Sequence, residues 1–316
     1  MSQASAIEVF PHIDATQQDC INDEQAQFFL DNGLLIIRNV LQGEDLKRMQ
    51  DQTLPLIDRA AKEDPQDEWK ADYAYRVHEI TGKRVPSRVE YVIDKTSAGK
   101  ALLGHPFILR SVEKLQGRNF IPTWDSMVFK FPGMGAAIPW HRDGGVDCLG
   151  EQPIFNVDFY LDGSDMSNCL WGVPGSNQWS VEQAHETIKR LNTGGFGTDG
   201  AVPILMNPGD VIFHNILALH GSPPAQSKLR RVVYYEFRAA EIESVKGPHM
   251  PEYIPIKQKV LLKCLQHRAA APYTKGETPF VYKAEGKFAA PEFDPKTENL
   301  GTYRFPHAMF WRGKRG

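Results

Sequence analysis

Only four cysteines occur in 316 residues, at positions 20, 148, 169 and 264. That spacing fits neither paired CxxC zinc ligands nor a compact disulfide framework, so reduced thiols in a cytoplasmic protein are expected. Long apolar runs are also missing. The longest near the start is Leu34-Leu35-Ile36-Ile37, and the first twenty residues lack both a basic opening and an apolar segment. Neither a membrane span nor an export signal is expected. Nor does one sign of charge dominate: 36 Lys+Arg stand against 39 Asp+Glu, a formal net charge of −3, and basic pairs such as Lys83-Arg84 and Arg230-Arg231 are scattered. Nucleic acid would find no continuous basic face. What is present is 41% hydrophobic residues. That suffices for a sizeable core and excludes a disordered or collagen-like chain.

The length corresponds to about two domains, or to one large β-rich domain with helical additions. The first third reads as mostly helical with one early strand. Residues 23–32 place Ala26, Phe29 and Leu30 at helical spacing and stop at Gly33, a residue suited to a left-handed C-terminal position. A strand is expected over 34–40. A helix over 44–62 follows on Leu46, Met49, Leu56 and Ile57, with a kink expected at Pro55. A further helix opens at Pro106 and closes at Gly117.

From about residue 121 the punctuation changes. Short apolar runs at 127–131, 154–161, 169–173, 202–206, 211–216 and 232–237 are separated by Gly, Pro, Asp and Asn. Such strands with frequent turns indicate a sandwich or barrel. Between two of them, residues 178–200 hold an amphipathic helix over 180–192 and a Gly-rich stretch, readable as a lid over a site or as an exposed insertion. Residues beyond about 240 read as an aromatic-rich extension packed on the barrel.

Two motif matches fail on context. Gly195-x-Gly197-x-x-Gly200 follows a helical segment and runs into Val202-Pro203, so neither flank suits a dinucleotide site. His185-Glu186 begins like a zincin, but position 189 is Lys.

The strongest local signal is Trp140-His141-Arg142-Asp143-Gly144-Gly145. On a strand, alternate side chains share a face, so His141 and Asp143 converge while Arg142 points away. The following glycines allow a sharp turn and close approach to the backbone. A second imidazole comes from the stretch Asn207-Pro208-Gly209-Asp210 through His220-Gly221-Ser222, where a turn launches an apolar strand that ends at His220. Two His and one carboxylate form the facial triad of non-haem Fe(II) oxygenases, which leaves positions open for co-substrate and oxygen. His214 competes with His220, but on a straight strand at about 3.3 Å per residue the two would lie roughly 20 Å apart and could not share one metal. Eleven residues beyond His220, Arg231 opens the strand over 232–237. Its guanidinium suits a carboxylate held by two parallel hydrogen bonds. Arg230 would then face the other way.

His141-x-Asp143, His220-Gly221-Ser222 and Arg231 resemble the phytanoyl-CoA dioxygenase-like family of Fe(II)/2-oxoglutarate-dependent oxygenases. Tyr160-Leu161-Asp162, the stretch from Ser167 to Asn177 and the opening helix and strand from Phe28 to Val40 add to the likeness, which covers roughly residues 23–240. The sequence departs from the family's pattern at Asp158, where Trp is common, at Asn177 for His and at Ala225 for Asn. The resemblance implies a mainly β fold with flanking α, a double-stranded β-helix (a jelly-roll or cupin-like barrel) with N-terminal helices packed on one face. It implies a single oxygenase domain over 1–316: a mostly helical part at 1–120, a jelly-roll core at 121–240 carrying the metal site, and a C-terminal extension at 241–316.

Carried over by position, His141, Asp143 and His220 would bind Fe(II), and Arg231 with the Ser222 hydroxyl would hold the distal carboxylate of 2-oxoglutarate. The implied reaction consumes O2 and 2-oxoglutarate, releases succinate and CO2, and hydroxylates or otherwise oxidises an unactivated C–H of a small natural-product or acyl-type substrate. Because Asp143 is present, halogenation is not expected. If Asp158 takes the family's Trp position, Asn156, Asp158 and Tyr160 share the inward face of their strand and are candidates for substrate contact or for a buried hydrogen-bonded network. Trp140, Trp171 and Trp179 lean toward a partly apolar substrate or simply pack the core. The same three ligands could serve a zinc hydrolase, although no Glu base stands beside them, or survive in a non-catalytic jelly-roll binding protein. The expected partner is a small molecule, with no nucleic acid or membrane, and the oligomeric state is left open.

Overall fold

The computed structural model describes residues 9–78, 81–133, 135–144, 152–225, 228–294 and 296–297. Gly145, Cys148 and the basic C-terminal residues lie outside them. The first elements follow the sequence closely. Helix α1 (Asp23–Asn32) begins on a reciprocal cap, in which the Asn22 side chain accepts from Gln25 N–H and Gln25 reaches back, and it ends at Gly33 with φ +73°. Strand β1 (Leu34–Ile37) follows. Helix α2 (Gly43–Lys62) runs through Pro55 without ending and buries Met49, Thr53, Leu56, Ile57 and Ala60.

An antiparallel pair, β2 (Tyr73–Val77) and β3 (Arg84–Glu90), and two short helices, α3 (Val92–Lys95) and α4 (Ser97–Leu103), come next. Helix α5 (Pro106–Gln116) then leads into the barrel strands β4 (Phe120–Lys130), β5 (Ile138–His141), β6 (Phe155–Tyr160) and β7 (Leu170–Gly172). After helix α6 (Val181–Gly194) come β8 (Val202–Ile204), β9 (Val211–Asn215), β10 (His220–Ser222) and β11 (Arg230–Ala239). The extension folds into α7 (Ala240–Lys246) and the long α8 (Tyr253–Ala269).

The strands make two sheets whose pairings are all antiparallel, a seven-stranded one in the order β1-β9-β6-β11-β4-β3-β2 and a four-stranded one in the order β5-β10-β7-β8. Alternation gives the large sheet two different faces. On one, Phe155, Val157, Phe159, Phe213, Val233, Tyr235 and Phe237 meet Phe29, Leu56, Ile57, Leu109, Val112 and Leu261 of the helices in the main core. Phe155 and Phe213 stack at 5.5 Å, and Phe29 packs edge-on against Phe155 at 5.3 Å. Each such fully buried aromatic contributes about 1.5–3 kcal/mol by burial.

The other face looks toward the small sheet. There Leu34, Ile36, Ile212 and Val232 meet Leu170 and Ile204, filling one end of the space between the sheets. The remainder of that space is a cavity of about 620 Å³. This is the arrangement expected of a double-stranded β-helix with helices on one face. Among the described residues, no helix is long and apolar enough to cross a membrane.

Segment 178–200 packs on the outer side of the small sheet. Leu191 and Ala184 of α6 lie with Trp140, Trp171 and Phe196 in a separate cluster, and the Asn192 side chain bonds both the N–H and the C=O of Trp140. These tryptophans are packing residues, and none of the segment lines the cavity. Cys20, Cys169 and Cys264 are free thiols, the latter two buried.

Candidate metal centre

The site is assembled where the small sheet turns its inner face to the cavity. β5 and β10 pair so that His141 and His220 are directly opposite, with imidazole centroids 4.2 Å apart. Asp143 follows β5 on the same face. Its backbone N–H and that of Gly144 both donate to the Ile216 carbonyl, at 3.0 and 3.2 Å. A Cβ on Gly144 would stand 2.3 Å from Ile216 Cδ1, so the close approach anticipated for this glycine is realised. Ligand atoms of His141, Asp143 and His220 all lie within 4.8 Å of one another. The Asp143 Oδ1 atom is 3.3 Å from His141 Nε2 and 3.7 Å from His220 Nε2.

The remaining polar atoms of the trio are engaged on the far side. Asn156 Nδ2 donates to Asp143 Oδ2 at 3.0 Å, and His141 Nδ1 lies 2.8 Å from the Pro139 carbonyl. His220 Nδ1 lies 3.0 Å from the Ala218 carbonyl and 3.0 Å from His214 Nε2. A carbonyl partner at Nδ1 selects the tautomer that leaves Nε2 free as a ligand. Burial disfavours the Asp143 carboxylate, but the neighbouring imidazoles, His220 foremost, outweigh it and hold the group well below the ordinary Asp value. Burial, reinforced by His214, lowers His220 well below the ordinary His value. An ionised carboxylate and a neutral imidazole are the forms a divalent metal requires.

His214 corrects the straight-strand estimate. The chain turns sharply after β9: Ala218 N–H donates to the Asn215 carbonyl at 2.9 Å, and Leu217 N–H donates to Asn215 Oδ1 at 2.9 Å. His214 and His220 therefore sit with ring centroids 4.0 Å apart. His214 stands behind His220, between it and Asp158, and outside the His141–Asp143–His220 trio.

Arg231 is the second correction. Its side chain leaves the large sheet on the helical side, where Nε and Nη2 fork onto Asp162 at 2.8 Å each and Nη1 donates to the Gln50 carbonyl at 2.7 Å. Arg230 is the one that faces the cavity. It shares that face with Val232, Tyr234, Glu236 and Arg238, opposite the face of Val233, Tyr235 and Phe237. The strand pattern carried this signal, since in the run 230–239 the odd positions from 233 are all apolar or aromatic while the even positions 236 and 238 are charged. Arg230 donates to the Asn168 carbonyl, and its buried Nε has no hydrogen-bond partner among the described residues. The buried hydroxyl of Ser222, two residues past His220 on β10, also lacks one.

Asn156, Asp158 and Tyr160 all line the cavity, as alternation implies. Two of them reach the His/Asp trio, Asn156 directly at Asp143 and Asp158 through His214, whose Nδ1 is 3.5 Å from Asp158 Oδ2. Beyond the trio the wall continues with Arg88, Trp124, Glu236 and Arg238, none of them singled out by motif.

The chain resembles proteins of matching architecture. The dioxygenase cdmD of Talaromyces verruculosus is 21% identical over 243 residues, covering 71% of this chain and 76% of that one. The crystal structure of EvdMO1 is 26% identical with a TM-score of 0.55; the match covers 68% of this chain and 49% of that one, so this chain spans about half its length. EctD from S. alaskensis, solved with 2-oxoglutarate and 5-hydroxyectoine, shares the fold at 16% identity and a TM-score of 0.56, over 71% of this chain and 78% of that one. Residues 29–233 match the sequence model of phytanoyl-CoA dioxygenase (PhyH), and the chain accordingly belongs to this family of Fe(II)/2-oxoglutarate-dependent oxygenases.

Proposed function

We propose that the protein binds Fe(II) through His141, Asp143 and His220, takes 2-oxoglutarate as co-substrate, and oxidises an unactivated C–H of a small organic substrate. Hydroxylation is the simplest outcome. The observation that carries this reading is the convergence of two imidazoles and one carboxylate within 4.8 Å on the wall of a cavity. Such a set covers one face of a metal and leaves the other open.

The polar atoms left over fit the co-substrate. Arg230 Nε and Ser222 Oγ are buried and lack partners, an expensive state that a carboxylate accepting from both would relieve. Arg230, rather than Arg231, is therefore assigned the distal carboxylate of 2-oxoglutarate. Asn156 holds Asp143 by its second oxygen and so keeps the first turned toward the imidazoles. Leu170 and Val232 beside Arg230 exclude water from that end. Arg88, Trp124 and Glu236, on the large sheet, are assigned to the substrate. When bound, iron with 2-oxoglutarate supplies the oxidising power, consuming O2 and releasing succinate and CO2. The protein's own contribution is to hold the reacting C–H in place and keep solvent away.

Anaerobic titration of 2-oxoglutarate into the Fe(II)-loaded protein tests this reading. A weak visible charge-transfer band is expected, and admission of O2 is expected to give succinate. Correctly folded protein that shows neither band nor succinate, with Fe(II) or with Zn(II), refutes the oxygenase reading.

A further inference from the structure

Behind His220, on the side away from its ligand nitrogen, two more side chains continue in line. His214 on β9 brings Nε2 to 3.0 Å from His220 Nδ1, and Asp158 on β6 brings Oδ2 to 3.5 Å from His214 Nδ1. Pairing of β6 with β9 sets this geometry by placing Asn156 opposite His214 and Asp158 opposite Ile212. Both side chains are buried.

The order of protons along the row follows from the metal site. An imidazole that binds metal through Nε2 must carry its proton on Nδ1. With a proton on His220 Nδ1, the nitrogen 3.0 Å away on His214 must present a lone pair. His214 is then the tautomer protonated on Nδ1, which faces Asp158. The row thus runs in one direction, from carboxylate through two imidazoles to the ligand atom. The Ala218 carbonyl, also 3.0 Å from His220 Nδ1, shares that proton and fixes the plane of the ring.

We propose that Asp158 and His214 form a carboxylate–imidazole relay that fixes the tautomer of His220 and strengthens it as a metal donor, so that Asp158 serves the metal rather than the substrate. Both are positioning residues. The inference rests on the metal-ligand role of His220 given above. Partners of ligand imidazoles typically change metal affinity by about 10- to 100-fold when removed. Because Ala218 also holds the ring, the lower end of that range is expected.

Co(II) titration of the metal-free protein, followed by its visible d–d absorption, measures this without turnover. His214→Phe is expected to weaken Co(II) about tenfold and Asp158→Asn by a similar or smaller factor. The double variant should be no weaker than His214→Phe alone, since Asp158 acts through His214. His214→Gln, which keeps an acceptor for His220, should recover part of the affinity; it and Asp158→Asn are near-isosteric and guard against misfolding of the Phe variant. Thermal melts identify folded variants. Folded Asp158→Asn with unchanged Co(II) affinity, or a double variant whose losses add, overturns the relay while wild-type binding stands. A folded wild type that binds no Co(II) overturns the metal reading and the relay together.

Discussion

Arg230 and Arg231 are adjacent and both buried, yet they emerge on opposite sides of one strand and into opposite chemistries. Arg231 is consumed by structure, forked onto Asp162 and tied to α2 through Gln50 and Thr53. Arg230 keeps an unpartnered nitrogen beside the cavity. Replacing each by Met is therefore expected to give different phenotypes. Arg230→Met should raise the 2-oxoglutarate Kd at least about tenfold, as loss of a charge-assisted contact does, with a smaller fall in melting temperature than Arg231→Met shows. Arg231→Met should leave the co-substrate site formed but destabilise the fold by about 3 kcal/mol, because Asp162 is left without its counter-ion. Calorimetric titration and thermal melts distinguish these outcomes; the reverse pattern would return the co-substrate contact to Arg231. The sequence made an Arg on this strand legible but placed Arg231 at the cavity, where Arg230 stands, because spacing from His220 counts residues through a connecting loop whereas facing depends only on strand parity. Reading Val233, Tyr235 and Phe237 as the helix-facing row would have assigned Arg231 to that side.

Turns and strand pairings, more than strand composition, bring His141, Asp143 and His220 together. The turn before β9 shows how tightly this is set: Gly209 has φ +92°, its N–H donates to the Tyr160 carbonyl at 2.7 Å, and a Cβ there would lie 2.1 Å from the Leu41 carbonyl oxygen. Gly209→Ala should cost at least about 2 kcal/mol, from a left-handed alanine and a clash that only backbone movement relieves. Chemical denaturation checks this, and an unchanged midpoint would mean that the turn is more plastic than its geometry indicates.

The elements that escaped the sequence reading have one cause in common. α8 buries Lys257, Gln258 and Arg268 beside Val260, Leu261 and Cys264, so its inward face does not read as an apolar stripe. Arg268 is neutralised only in three dimensions, by Asp45 and Glu277. β3 has a Pro and two Arg in seven residues, which by pattern argues against a strand. By contrast α1, α5 and α6 carry capping or end signals in their own sequence, at Asn22, Pro106 and Ser180, and were found to within about two residues.

At the scale of the whole molecule, the site spans two sheets. His141 and His220 stand on the small one; Arg230, Asn156 and Asp158 stand on the large one. A metal and co-substrate bound there together would bridge elements that otherwise meet through the apolar cluster around Leu34, Leu170 and Ile204. Native-state binding of this kind should stabilise the fold by about 2.7 kcal/mol at one hundred times Kd, growing with the logarithm of ligand concentration, and so raise the melting temperature. Co(II) with 2-oxoglutarate under nitrogen should show this in wild type. His141→Ala should lose the metal-dependent part, and equal stabilisation in both would place metal binding elsewhere.

The sequence by itself determined the family, the two His and one Asp that converge within 4.8 Å, and the inward parity of Asn156, Asp158 and Tyr160. Local spacing, strand alternation and motif order are properties of the chain alone, so all three are readable without coordinates. Tertiary structure alone decided which arginine meets the cavity, that His214 folds back onto His220, and that the tryptophans around β5 and β7 pack outside the site. Each depends on how a loop closes or which layer covers a face, and those are settled by contacts between residues far apart in sequence.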